Sequence, residues 1–187
     1  MSDPDGLPDD STGAHEDGGQ DAGPDAAAAK PRRRRPEPSA AQRALGLLVR
    51  REHSRRELER KLLARGVEAD EAAQAVERMR SEGWQDDTRF AVSLARSRAI
   101  GGYGPLRIRQ ELEMHSLEAG AVDAAFEALA EEGEDDWRGR AGDLVERRYG
   151  SLEDADRTRR HKAAEFLLRR GFDVETARRA TGFMPDD

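Results

Sequence analysis

The chain has 187 residues, 38% of them charged, 36% hydrophobic and 5% aromatic, with a formal net charge of −7 at pH 7. That is ample for one modest core or a row of small ones, and it argues against a large enzyme cleft. The absence of cysteine excludes disulfides and thiolate metal sites, and no apolar run approaches the roughly 20 residues that cross a bilayer.

Residues 1–38 consist largely of Asp, Gly, Pro, Ser and Ala and hold almost nothing to bury. Ordering them would cost backbone entropy without return, so a disordered tail is expected. Its acidic start lacks a secretory signal's basic end and apolar centre, which points to a cytoplasmic protein. The tail holds nine acidic and five basic residues, leaving 30 acidic and 27 basic over the remainder. Any nucleic-acid contact therefore falls to local patches rather than to overall charge. Within the tail, "PRRRRP" (Arg32 to Arg35) reads either as an extended cationic anchor for phosphate or as a solvated basic run.

Helix signals dominate from Ser39 onward. Ser39 caps a helix whose apolar side carries Leu45, Leu48 and Val49, with a break near His53. Ser54 and Glu57 form the S-x-x-E capping box of a second helix, with Leu58, Leu62 and Leu63 on its apolar face and Gly66 as its stop. A third runs from Glu68 to Glu82 through Ala72, Ala75, Val76 and Met79, and closes at Gly83. The next begins at Asp86 with Phe90 and Leu94, bends at "GGYGP", continues through Ile108 and Leu112, and finishes with Val122 to Leu129. The last three helices cover Trp137 to Tyr149, Arg157 to Arg170 and Asp173 to Thr181.

These helices repeat. Shifting Leu58, Leu62, Gly66, Val67, Val76 and Met79 by 50 residues gives Ile108, Leu112, Ser116, Leu117, Phe126 and Leu129, so all but the Gly66–Ser116 pair remain apolar. A further shift of 55 carries Ile108, Leu112, Ser116 and Leu117 to Ala163, Leu167, Gly171 and Phe172, which restores the stop glycine. The fold class predicted is all-α: three tandem three-helix repeats, over 39–83, 84–133 and 134–187, in an elongated, curved, solenoid-like bundle. Such units bury their faces on their neighbours.

Catalytic readings find little support. His15, His53, His115 and His161 are scattered, and no H-E-x-x-H or similar metal spacing exists. "GGYGP" lacks the G-K-[ST] ending of a phosphate cradle and reads as an interhelical bend. Asp86 and Asp87 could be drawn as paired carboxylates but fit better as caps at a helix's positive end, with Trp84 and Phe90 packing around the turn. No catalytic residue, cofactor or metal is expected.

"HSRRELERKLLARGV", "EGWQDDTRFA", "GGYGPLRIRQEL" and "LLRRGFDVETARRA", in that order, resemble the RecX family of bacterial regulatory proteins over roughly Ala41 to Thr181. Two departures stand out: Gln85 occupies a usually apolar position, and "MHSLEAG" is a degenerate form of the family's lysine-glycine-apolar stop. The resemblance implies a non-enzymatic modulator of the RecA recombinase that lies along the groove of the RecA nucleoprotein filament. It would bridge subunits, block extension and favour disassembly, suppressing strand exchange, ATP hydrolysis and coprotease activity. DNA repair, recombination and the SOS response are the implied settings. The expected partners are RecA and its DNA filament, with weak direct contact to single-stranded DNA, and a monomer is expected. The alternative is an all-helical adaptor for another protein with no nucleic-acid role.

The residues fit a multivalent filament binder on physical grounds, because several modest contacts made by one chain form at high effective concentration. All but Lys30, Lys61 and Lys162 of the 32 basic residues are arginines, whose planar forks suit carboxylate and phosphate. The candidate contact residues form two clusters: Arg50, Arg51, Arg55, Arg56 and Arg60 in the first repeat, and Arg157, Arg159, Arg160, Lys162, Arg169 and Arg170 in the third. The competing reading is a solvated face balanced by nearby glutamates.

Overall fold

The computed structural model describes residues 37–183. The expected tail and its Arg32–Arg35 run lie outside the described residues, apart from Glu37 and Pro38.

Among the described residues there are nine helices and no strand: α1 (Ala40–Leu48), α2 (Arg55–Leu63), α3 (Ala69–Ser81), α4 (Asp87–Ile100), α5 (Pro105–Met114), α6 (Ala119–Glu131), α7 (Trp137–Tyr149), α8 (Arg157–Arg169) and α9 (Val174–Thr181). They bury three separate cores. The first gathers Leu58, Leu62, Val76 and Met79, the second Ile108, Leu112, Val122 and Leu129, and the third Val145, Phe166, Leu167 and Phe172. In each repeat the first helix packs on the third. Small residues allow that approach, as where Ala91, Ala95 and Ala99 of α4 share a core with Ala121 and Ala125 of α6.

The 50- and 55-residue shifts hold in the backbone. Gly66, Ser116 and Gly171, the stops of α2, α5 and α8, all have positive φ, at 76°, 55° and 85°. Ser116 adopts a conformation that costs a non-glycine residue roughly 1 kcal/mol. The extra five residues of the second shift are a net sum: the connection 150–156 is three residues longer than the bend 101–104, α8 is three longer than α5, and α7 is one shorter than α4. That bend is the predicted one: Gly102 has φ 76°, and Pro105 opens α5 at a position that needs no amide donor.

Several local expectations change. On α1 the buried face is Ala40, Ala44 and Leu47, while Val49 is 75% exposed. Leu45 and Leu48 pack partly buried against the same core, so of the expected apolar side Val49 alone turns to solvent. Leu63 and Trp84 are also largely exposed, so Trp84 does not pack around its turn, whereas Phe90 is buried. The full capping box forms at Ser39 with Gln42. At Ser54 only half forms: the hydroxyl accepts the Glu57 amide, but the Glu57 carboxylate is drawn away to Arg51 and Lys61.

Candidate partner-binding surface and the repeat junctions

The repeats join by one recurring geometry, in which the stop of a repeat's second helix sits against the start of the preceding repeat's second helix. At the first junction the Ser54 hydroxyl lies 2.8 Å from Nδ1 of His115, and the Arg56 guanidinium donates to the Met114 carbonyl and the Ser116 hydroxyl. At the second, the amides of Gly104 and Leu106 donate to the carbonyls of Arg170 and Gly171 at 2.8 and 3.0 Å. Ser54 and Gly104 correspond under the 50-residue shift, and His115 and Arg170 under the 55-residue shift.

The first junction is a buried polar network. Gln85, 2% exposed, donates its side-chain amide to the His53 carbonyl and to the Asp87 carboxylate. Asp87 in turn accepts the backbone amide of Arg55 at 2.9 Å, so it caps α2 in the preceding repeat, while Asp86 caps α4 through the amides of Thr88 and Arg89. The two aspartates are therefore caps, as expected, but of different helices. Glu57, 7% exposed, receives Arg51 at 2.5 Å and Lys61 at 3.1 Å. Burial alone would raise its carboxyl, but the hydrogen bonds from Arg51 and Lys61 and the Arg51 charge outweigh it and hold the group at about 2.

The candidate cations separate into three groups. Five hold the fold. Arg51 pairs with Glu57, and Arg56 bridges the first junction. Arg159 donates to the Tyr149 carbonyl, and Arg160 to the carbonyls of Ala155 and Glu153. Arg170 donates to the carbonyls of Gly101 and Gly102 and lies over the rings of Tyr103 and Phe166. Arg169 makes a loose pair with Glu165 at 3.6 Å, and the Arg157 guanidinium lies 5.8 Å from the Phe183 ring. Among the described residues, the side chains of Arg50, Arg55, Arg60 and Lys162 are exposed and make no ion pair or hydrogen bond.

Arg60 lines an open groove of about 510 Å³ at the first junction, with Arg56, Glu57, Glu59, Leu63, Met114 and His115. Leu63 and Met114 expose apolar surface on its rim, at 44% and 68%. A cation without a partner beside exposed aliphatic and thioether groups suits an acidic-apolar protein surface. The residue pattern holds no sign of Met114, because its exposure follows from which stop faces which helix start. Among the described residues no group of His, Asp and Glu side chains could hold a metal ion, and no helix is long and apolar enough to cross a membrane.

Comparison with known proteins adds three matched segments. Residues 40–79, 86–125 and 134–181 match the sequence families described as the first, second and third three-helix domains of RecX. The Regulatory protein RecX of Stenotrophomonas maltophilia (strain K279a) is 54% identical over 157 residues, covering 83% of this chain and 94% of its own length. That of Xanthomonas axonopodis pv. citri (strain 306) is 54% identical over 155 residues, covering 83% and 93%. The crystal structure of RecX from Lactobacillus salivarius shares the fold, with a TM-score of 0.58 at 21% identity over 75% of this chain and 91% of that one.

Proposed function

The chain belongs to the RecX family, and from that premise we propose that it binds RecA and the RecA nucleoprotein filament in the cytoplasm, as a monomer, and restrains recombinase, ATPase and coprotease activity by blocking extension and favouring disassembly. It performs no catalysis of its own. The groove at the first junction carries this reading: Arg60 supplies a cation with no ion pair or hydrogen bond of its own, and Leu63 and Met114 supply apolar area, the two ingredients of a protein contact. Lys162, Arg50 and Arg55 add exposed cations on other parts of the chain. Tandem repeats distribute these contacts, so that several weak ones act together on a polymeric partner.

Co-sedimentation with RecA filaments, assembled on single-stranded DNA with a nucleotide analogue that resists hydrolysis, tests the proposal. The wild-type chain is expected in the pellet, and Arg60→Glu with Met114→Ser is expected to remain largely in the supernatant while keeping its helical content. Equal pelleting of the two would remove the groove from the contact. A wild-type chain that never pellets with RecA would defeat the functional reading itself. Pelleting with single-stranded DNA alone, lost at raised salt, would mark a direct DNA contact.

A further inference from the structure

The first junction is built around two histidines, and the hydrogen bonds of one of them, His53, admit one protonation state. His53 is 2% exposed, and its Nδ1 lies 2.9 Å from the Arg51 carbonyl, which can only accept. Nδ1 therefore carries the proton, and Nε2, 3.0 Å from the Lys61 ammonium, is the lone pair that receives it. Across the junction, the Ser54 hydroxyl accepts the Glu57 amide and lies 2.8 Å from Nδ1 of His115, whose ring packs at a tilt against Phe90 with centroids 4.6 Å apart. The His53 ring is neutral in this arrangement.

The surrounding charges are mixed in sign: the cations Arg51, Lys61, Arg56 and Arg60 oppose a proton, and the carboxylates of Glu57 and Glu111 favour one. His53 faces Arg51 and Lys61, with the Glu57 carboxylate 4.0 Å from its Nε2, and the second repeat presents only Gln85, held between the His53 carbonyl and Asp87. His115 faces Arg56, Arg60 and Glu57 from α2 and Glu111 from its own helix. Around the two rings, Glu57 is the one buried carboxylate, and Arg51 and Lys61 already claim it. A proton on His53 would aim an N–H at the Lys61 ammonium, and a proton on His115 would add a cation beside Arg56 and Arg60.

We propose that this junction is a pH-operated latch: closed while His53 and His115 are neutral, and released when they are protonated, so that the first repeat moves against the second. Desolvation by burial is the largest influence on both imidazoles and sets them below the ordinary histidine value. For groups lowered in this way, the closed junction is fully favoured above the ordinary value of 6.5 and loses that advantage as pH falls below it. The second junction has no such dependence, since its bonds join backbone groups and the permanently charged Arg170. The latch belongs to the chain alone and does not depend on what the groove binds.

The chain has no cysteine, so paired spin labels on introduced cysteines are unambiguous. Gln74→Cys with Glu127→Cys spans the first junction, and Glu127→Cys with Thr158→Cys spans the second; all three positions are exposed. Between about pH 7.5 and about pH 5.5, the range in which histidines titrate, the first distance distribution is expected to broaden and shift while the second stays fixed. His53→Gln with His115→Gln should abolish the response. An unchanged first pair, an equal change in both pairs, or a response that persists without the histidines would overturn the latch. Should the double variant fail to fold, NMR titration of the wild-type histidine rings decides: the rings of His53 and His115 must titrate over the pH range of the distance change, and a different range contradicts the proposal.

Discussion

Gly104 and Gly171 meet backbone to backbone across the second junction, where a Cβ on Gly104 would stand 2.4 Å from the Gly171 carbonyl oxygen. The Gly104 conformation, φ −83° and ψ 169°, is open to any residue, so it is the neighbouring chain that requires glycine here.

Gly104→Ala should therefore destabilise the protein by about 1–3 kcal/mol through overpacking. Gly46→Ala, in α1 where an added Cβ would meet nothing within 4 Å, should stabilise by about 0.5–1 kcal/mol through helix propensity. Urea unfolding of the two variants checks both signs. A neutral Gly104→Ala would mean that the junction is loose.

Arg56 and Arg60 lie one turn apart on α2 and should behave differently. Arg56→Ala removes the donor to the Met114 carbonyl and the Ser116 hydroxyl and should cost about 1 kcal/mol, whereas Arg60→Ala should leave stability within about 0.5 kcal/mol. Thermal melts of the two single variants suffice. An equal loss in both would contradict the division into structural and free cations.

The division also shows what the residue pattern could carry. Apolar spacing located nine helices, and the shifts of 50 and 55 residues identified the stops, including Ser116, where no glycine marks the positive φ. Those signals are local or periodic. Asp87 capping α2 across 32 residues and His115 meeting Ser54 across 61 depend on how one repeat seats on the next, which no periodicity reports. The same blindness made Arg56, Arg159, Arg160 and Arg170 look like free surface charge. An arginine on a polar helix face reads alike whether its guanidinium meets water or a carbonyl from another helix.

Acid should act on Glu57. Its carboxyl titrates at 4.5 when unperturbed and at about 2 in the folded chain. The folded value is the lower one, so Glu57 contributes stability that is complete above 4.5 and is lost as pH falls towards 2. Glu57→Gln should cost about 3 kcal/mol at neutral pH, by leaving Arg51 and Lys61 without their partner, and should flatten the stability–pH curve in that acid window. Urea midpoints measured across the window test this. A variant whose curve matches the wild type's acid slope would show that other carboxylates govern it.

Leu62 and Leu167 occupy corresponding, fully buried positions in the first and third cores. Leu62→Ala and Leu167→Ala should each cost about 2–5 kcal/mol. Hydrogen exchange should show the loss concentrated in the mutated repeat, because the three cores are separate. Loss of protection spread evenly over all nine helices would argue for one cooperative unit.

The central claim is that this chain restrains RecA by acting on its filament, and the most direct test is the rate of RecA-catalysed ATP hydrolysis on single-stranded DNA as the chain is titrated in. One molecule that blocks extension affects many subunits, so the rate should fall at amounts well below one chain per RecA, and Arg60→Glu with Met114→Ser should need far more protein for the same effect. A rate that falls only near equal concentrations would contradict action through the filament, and a rate untouched at every ratio by the folded wild-type chain would contradict the claim altogether.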